Sequence, residues 1–335
     1  MKYGIKSTKE IESVLLYGDK NKRKKKLISI VIPTYKREKL LKEALESAIN
    51  QLNFNDYEIV IVDNDDNFGN FEIKKMIESY QKDNIYYYKN KKNLGVTGNW
   101  NRCIELANSE WIVMLHDDDW LKKDALEKIK SFILKYKEVK IINFKPDVYD
   151  GINNKYYESQ GKIKVEKILY KRLFVGQQVM APIALTFSKK KALEIGGFRE
   201  EFYPSLDYEF WFRFLEKNEG INISNDAIAY YRLLENISLR KETQQGCLEK
   251  DYKITQLYNK KSHLIGKIGF YRQIYKICYK SLCFDSISEK EEFIKKLKIR
   301  KKDEILAYLV MKLQIFGVVR SYLKLKTYFL SLKYN

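Results

Sequence analysis

LISIVIPTYKREKLLKEALESAINQLNFNDYEIVIVD, residues 27 to 63, decides the fold. LISIVIP (27–33) is an apolar run of strand length, and EKLLKEALESAINQ (38–51) carries the apolar period of an amphipathic helix. YEIVIVD (57–63) is a second apolar run. Runs this continuous predict strands buried on both faces, as in a parallel sheet covered by helices on each side.

The alternation continues outward from that stretch. FEIKKMIESYQK (71–82) predicts a helix, NIYYYKN (84–90) a strand, NWNRCIELAN (99–108) a helix and EWIVML (110–115) a strand. WLKKDALEKIKSFILKYK (120–137) predicts a helix and VKIINF (139–144) a strand, which makes this an α/β chain. After Pro146 the pattern weakens into a polar stretch rich in Tyr and Lys (147–170). A helix, LDYEFWFRFLEK (206–217), and a last strand, DAIAYYRLL (226–234), follow. Beyond about residue 250 the sequence reads as all-helical, including one helix over 304–333. In that helix Lys312, Arg320, Lys324, Lys326 and Lys333 share one half of the wheel, and Met311, Val318, Leu325 and Phe329 the other.

Composition excludes several classes. A chain of 335 residues holds two domains, or one with an appendage, at roughly 100 to 200 residues each. With 45% apolar and 32% charged residues, 15 Gly and 4 Pro, it is neither disordered nor collagen-like. Only His116 and His263 are present, which removes multi-histidine zinc sites and leaves acid–base chemistry to carboxylates. Four cysteines without a C-x-x-C pair suit free thiols in a reducing compartment, so a cytoplasmic location is expected. Charges scattered through residues 1–26 argue against a secretory leader, and no window offers the 18 apolar residues of a spanning helix. Net charge is +19, and residues 251–335 carry 19 Lys and Arg against 7 Asp and Glu, or +12. Such a surplus favours anionic partners.

The sharpest local signal is WIVMLHDDDWL (111–121), an apolar strand running into Asp117, Asp118 and Asp119. Three adjacent carboxylates repel, and a hard divalent cation relieves them. In an open α/β sheet, ligands bind beyond the carboxyl ends of the strands, where this cluster falls. Spacing alone also allows a solvated turn whose last Asp caps a helix starting near Trp120, the less favoured of the two. IVIVDNDDN places Asp63, Asp65 and Asp66 at a second strand end on the same rim, and PTYKRE places Thr34 at a third. Each of those alone reads as a turn.

Taken in order, ISIVIPTYKREKLLKEALESAINQ, EIVIVDND, NLGVTGNWNRCIELA, WIVMLHDDDWL and GGFREEFYPSLDYEFWFRF resemble glycosyltransferase family 2 over about residues 27 to 235. The resemblance implies a GT-A fold, a nucleotide-diphospho-sugar donor, Mn2+ or Mg2+ as cofactor, and sugar transfer with inversion. It implies that Pro33, Thr34, Tyr35, Arg37, Asp63, Asn93, Gly95, Asn99, Asp117 and Asp118 contact the nucleotide sugar. Thr34 and its backbone neighbours would hold the base, and Asp63 the base or ribose. Asp119 would be the first metal ligand, with Asp118 beside it. His116 departs from the family pattern, where an acidic residue commonly opens the string; it would hydrogen-bond the ribose or diphosphate, or pack against the sheet. The family's E-D dipeptide reads Leu206-Asp207 here, which makes Asp207 the base for the acceptor hydroxyl and Glu209 its backup. Read without the resemblance, Asp207 is an N-cap, and Gly196 and Gly197 are a helix C-cap and turn.

The same resemblance divides the chain into a basic N-terminal segment (1–26), a GT-A domain (27–250) and a basic helical region (251–335). Residues 27–145 form the nucleotide-sugar half of the domain and 146–250 the acceptor half. It implies a saccharide or lipid-linked saccharide acceptor in surface polysaccharide synthesis, of capsule or O-antigen type. Residues 251–335 pack on the core, dimerise, or touch anionic lipid at the inner face of the membrane. Two alternatives are a noncatalytic nucleotide-sugar-binding scaffold and a nucleic-acid-binding protein using the basic C-terminal region; the acidic rim argues against nucleic acid.

Overall fold

The computed structural model describes residues 10–69, 71–176, 183, 185–234, 236–259 and 263–334. They form two compact units. One holds the described residues of Met1–Val165, Val179–Glu200 and Lys217–Leu234, the other those of Glu166–Gln178, Glu201–Glu216 and Glu235–Asn335.

The first unit contains strands β1 (Ser13–Tyr17), β2 (Ile28–Thr34), β3 (Tyr57–Asp63), β4 (Ile85–Asn90), β5 (Trp111–Met114), β6 (Trp120–Leu121) and β7 (Val139–Phe144). After these come β8 (Asp147–Asp150), β9 (Lys155–Tyr157), β10 (Lys164–Lys167), β11 (Leu185–Ser188), β12 (Glu219–Ser224) and β13 (Ala229–Leu233). Its helices are α1 (Glu38–Ile49), α2 (Glu72–Ser79), α3 (Gly95–Leu106), α4 (Ala125–Lys135) and α5 (Lys189–Glu194). Nine strands form one sheet in the order β1-β4-β3-β2-β5-β11-β7-β12-β10. Every residue of β2 and β3 is buried, as apolar runs covered on both faces require. The parallel register sets Thr34 opposite Asp63 on β3 and Val31 opposite Met114 on β5. The carboxyl ends of these three strands therefore share one rim.

Burying Glu58 in the middle of this core requires partners. Arg23 supplies a fork, with Nε 2.7 Å from one carboxylate oxygen and Nη2 2.8 Å from the other. Ser29 and the Asn108 N–H complete the set at 2.5 and 2.7 Å. The basic N-terminal segment is thus tied into the sheet by Arg23 and by β1, which runs antiparallel to β4.

As expected, the sheet is largely parallel, with β2, β3, β4 and β5 in parallel register, and it takes in β11 antiparallel between β5 and β7. One expectation is corrected in this unit. The stretch that follows Asp119 is a strand before it is a helix: Leu121 N–H donates to Ser47 Oγ (3.0 Å) and Lys122 N–H to Ile228 O (2.8 Å), so α4 starts only at Ala125. Trp120 and Leu121 open a second sheet in the order β6-β13-β8-β9, built from the polar 147–157 stretch and the last strand.

The second unit contains α6 (Leu206–Lys217), α7 (Lys241–Tyr258), α8 (His263–Tyr275), α9 (Ile287–Lys296), α10 (Lys301–Lys312) and α11 (Ile315–Ser331). Leu248, Tyr252, Ile274, Ile277, Cys278 and Ala307 make a core among the later helices. Phe212 of α6 stacks on Tyr258 of α7 at 5.0 Å between ring centres. The single helix expected over 304–333 is two, bent by 59°, because Gln314 adopts a left-handed φ of 56° between them. Among the described residues no single helix is long and apolar enough to cross a membrane.

Candidate active site

The rim is organised by hydrogen bonds between residues far apart in sequence. Thr34, at the end of β2, donates from Oγ1 to Asp117 Oδ2 at 2.8 Å. Arg37, just before α1, donates from Nη1 to Asp117 Oδ1 (3.2 Å) and to Asp118 Oδ2 (2.9 Å). Burial pushes the Asp117 carboxyl up to about 6 against the pull of Thr34 and Arg37. Pro33 is buried beside them, while Tyr35 stands out from the rim.

Asp119 differs from its neighbours. Its Oδ1 accepts the Arg232 N–H of β13 at 2.9 Å, while its Oδ2 is buried without a hydrogen-bond partner. Burial, then the charge of Asp118, holds its carboxyl well above the usual range. His116 Nδ1 lies 3.8 Å from that oxygen, and His116 Nε2 is also buried without a hydrogen-bond partner. The imidazole stacks on Trp100 of α3 at 5.2 Å, and burial keeps its pKa below the ordinary value. One ligand atom each from His116, Asp118 and Asp119 lie within 4.8 Å of one another. Two carboxylates and an imidazole with unpaired buried atoms are a donor set that could hold a divalent cation.

Asp63 sits at the neighbouring strand end with no surface exposed. It accepts Tyr87 Oη (2.8 Å), Lys89 Nζ (3.1 Å) and the Asp65 N–H (2.9 Å). Its carboxylate is thus engaged by groups of the protein itself. Asn93 and Asn99 belong to an amide ladder. Asn64 Nδ2 donates to Asn93 Oδ1 (2.8 Å), Asn90 Nδ2 donates to Asn64 Oδ1 (3.1 Å) and Asn99 Oδ1 (2.9 Å), and Asn99 Nδ2 donates to Val62 O (3.0 Å). Gly95, at φ +68°, has open space where a Cβ would stand. The ladder holds the NLG turn before α3 against the ends of β3 and β4.

Gly196 and Gly197 both take positive φ and cap α5, their N–H groups donating to Leu193 O (2.9 Å) and Ala192 O (3.0 Å). Phe198 then docks on α3: its N–H donates to Asn101 Oδ1 at 2.7 Å, its carbonyl accepts from Asn101 Nδ2 at 2.9 Å, and its ring meets Trp100 edge-on at 5.2 Å. Trp100, Asn101, Asn64, Asn90 and Arg232 escaped the sequence reading because nothing local marks them; each acts across more than 20 residues. His116 escaped as a metal-ligand candidate because its position resembled a departure from a pattern.

In the second unit Asp207 lies inside the first turn of α6 rather than at its cap, and its Oδ1 accepts the Tyr208 N–H at 2.8 Å. Burial, with the charge of Asp251, pushes this carboxyl up to about 6. Glu209 is enclosed: Arg213 Nε and Nη2 reach its two oxygens at 2.7 Å each, and Tyr258 Oη donates at 2.8 Å. That carboxylate is tied into an ion pair, whereas Asp207 has none among the described residues.

The largely parallel α/β core, with carboxylates gathered at its strand ends and a second small sheet beside it, has the layout of a GT-A fold. Residues 29–193 match the model of Glycosyl transferase family 2, and the chain belongs to that family. It is 26% identical over 282 residues to an uncharacterized glycosyltransferase of Methanocaldococcus jannaschii, covering 84% of this chain and 95% of the relative. It is 28% identical to the GalNAc(5)-diNAcBac-PP-undecaprenol beta-1,3-glucosyltransferase of Campylobacter jejuni, covering 76% and 88%. Among solved structures, S. aureus TarS 1-349 in complex with UDP superposes with a TM-score of 0.61 at 17% identity, covering 86% of this chain and 91% of that one. That likeness shows the fold.

Proposed function

We propose that this enzyme moves a sugar from a nucleoside-diphospho-sugar to a hydroxyl of a saccharide or lipid-linked saccharide, with inversion and with Mn2+ or Mg2+ as cofactor, in surface polysaccharide synthesis. The observation that carries the reading is the cluster of His116, Asp118 and Asp119, with buried ligand atoms left unpaired, at the carboxyl ends of the strands. The relatives support the substrate classes: TarS is described with UDP and with UDP-GlcNAc, and the Campylobacter relative is named for an undecaprenol-linked acceptor. With a divalent cation bound, Asp119, Asp118 and His116 hold a Lewis acid that neutralises charge on the departing diphosphate. Arg37 adds a fixed positive charge beside Asp117 and Asp118. Thr34 and Pro33 with Tyr35, the Asn93–Gly95 turn and Asn99 form the nucleotide side. Asp63 serves that side by fixing the Asp65 N–H and Lys89. Asp207, whose carboxyl burial pushes up to about 6, accepts the acceptor's proton, so that one in-line displacement inverts the anomeric centre.

The finer location we propose is the inner face of the membrane, reached through α11. Leu323, Thr327 and Ser331 form its buried stripe, so two of the three inward residues carry hydroxyls. Val318, Tyr322, Leu325, Phe329 and Leu332, more than half exposed, fall within about 80° of one another on the opposite side. A helix with polar residues inside and apolar residues outside suits a lipid surface. Residues 305–335 hold five Lys and Arg and no Asp or Glu, so a second copy would meet like charge and an anionic bilayer would meet its complement. A panel of UDP-, GDP- and dTDP-sugars with Mn2+, read by release of nucleoside diphosphate, tests the catalytic reading; release from none of them contradicts it.

A further inference from the structure

The small sheet β6-β13-β8-β9 carries its aromatic rings on the wrong side for a core. Its inward face holds Leu121 and Ala229, both buried. Cross-strand register puts Trp120 opposite Tyr230, Arg232 opposite Tyr149, and Tyr149 opposite Tyr156, so these side chains share the other face. The rings touch in series: Trp120 to Tyr230 at 5.4 Å, Trp120 to Tyr149 at 5.4 Å, Tyr149 to Tyr156 at 4.8 Å and Tyr156 to Tyr230 at 5.3 Å. Tyr156 is 53% exposed. Charged groups interleave with the rings. Lys122 pairs with Asp147 at 2.6 Å and sits 4.8 Å from the Tyr230 ring centre, the Tyr230 hydroxyl donates to Glu158, and the Arg232 guanidinium lies 4.5 Å from the Trp120 ring.

This face is joined to the carboxylate motif. Trp120 directly follows Asp119, and Arg232 donates its N–H to Asp119 Oδ1 and its Nε–H to the Asp118 carbonyl, each at 2.9 Å. Four strands about 4.8 Å apart make a platform about 14 Å across.

We propose that this platform is the acceptor-saccharide subsite, on which neutral sugar rings stack by their C–H faces while the interleaved polar groups meet their hydroxyls. The proposal rests on the glycosyltransferase reading above and deepens it. Aromatic faces carry negative potential and suit the weakly positive, apolar face of a pyranose. Charge decides the ligand class: Lys122 pairs with Asp147 and Glu158, and Arg232 with Glu43 of α1, so the face carries no positive surplus in a chain of net charge +19. A face without that surplus and with carboxylates among its rings favours a saccharide over a nucleic acid or an anionic headgroup.

Saturation-transfer NMR on the full chain, with chitotriose, cellotriose and laminaritriose as probes, tests it. Transfer to at least one trisaccharide is expected. Tyr156→Ala is expected to weaken that binding by about tenfold or more, whereas Tyr156→Phe, which keeps the ring, binds as the wild type does. Tyr157→Ala, on the same strand with its side chain on the other face, also keeps binding and controls for damage to the edge strand. No transfer from any trisaccharide, or equal binding by Tyr156→Ala, returns the rings to a packing role. Binding of an oligothymidylate in place of the sugars, lost in Tyr156→Ala, overturns the assignment of ligand class. Donor hydrolysis by the wild-type chain, followed in parallel, separates the two readings: its absence alongside intact sugar binding fails the enzyme and not the platform.

Discussion

His116 Nδ1 stands 3.8 Å from Asp119 Oδ2, and that oxygen has no hydrogen-bond partner in its buried position. An imidazole held neutral by burial beside an unpaired carboxylate oxygen, with Asp118 near both, fits the cation site proposed above. Replacing His116 by Ala is therefore expected to weaken Mn2+ binding by at least about tenfold, read by titrating the free-ion electron paramagnetic resonance signal. Unchanged affinity would confine the imidazole to packing on Trp100.

Asp207 yields a pH signature. A base must be deprotonated, so with the carboxyl raised to about 6 the rate should fall as pH drops below about 6. Asp207→Asn should lower kcat by about 100-fold or more with donor affinity nearly unchanged. Stability moves in the opposite sense from an ordinary ion-paired carboxylate. Because the folded-state value lies above the unfolded one, the native state binds the extra proton between about pH 4 and 6, and this group's contribution declines as pH rises through that window. Asp207→Asn escapes that loss, so its urea midpoint relative to wild type should climb from pH 4 to pH 7. A midpoint difference that stays flat across the range would contradict the raised value.

Arg23 and Glu58 offer a test of the fold itself. Glu58 is 1% exposed, and Arg23 is the cation hydrogen-bonded to it, through two nitrogens, with the charge of Lys189 farther off. Arg23→Ala leaves that buried carboxylate without its paired cation, a change expected to cost about 3–5 kcal/mol in urea denaturation. A loss below 1 kcal/mol would mean that Ser29 and Asn108 suffice.

The strands were legible because β2, β3 and β5 are apolar runs buried on both faces, a pattern that needs no partner to be recognised. Their shared rim followed from the chain order of a parallel sheet. Trp120 and Leu121 misled because the residues after them have a helical period; what makes them a strand is β13, which lies more than 100 residues away. The break at Gln314 misled for a related reason, since a left-handed residue that is neither Gly nor Asn leaves no trace in composition. The antiparallel course of β11 was invisible, because apolar runs carry no direction. Of the site, the carboxylates of 117–119 could be read from sequence alone. Arg37, Asn93 and Asn99 came only with a family pattern. The Arg232 N–H on Asp119 and the amide ladder through Asn64 and Asn90 are meetings of distant segments and could not.

The outward apolar face of α11 gives a membrane test. Full-length protein should sediment with phosphatidylglycerol vesicles and not with phosphatidylcholine vesicles, and rising salt should release it. The double variant Leu325→Glu, Phe329→Glu should stay in solution at every vesicle concentration. Sedimentation of that variant equal to wild type would remove α11 from the membrane contact, and dimerisation by the wild type alone would assign the face to a second copy.

If the carboxylates after β5 hold a cation needed for turnover, as proposed, its removal and return should switch the enzyme off and on. Nucleoside diphosphate release from the best donor should be followed while EDTA removes the cation and Mn2+ is then added back, for wild type and for Asp119→Asn. The expected result is loss of wild-type turnover in EDTA, recovery with Mn2+, and no recovery by Asp119→Asn. Full turnover in excess EDTA, or an Asp119→Asn chain that Mn2+ restores to the wild-type rate, would contradict it.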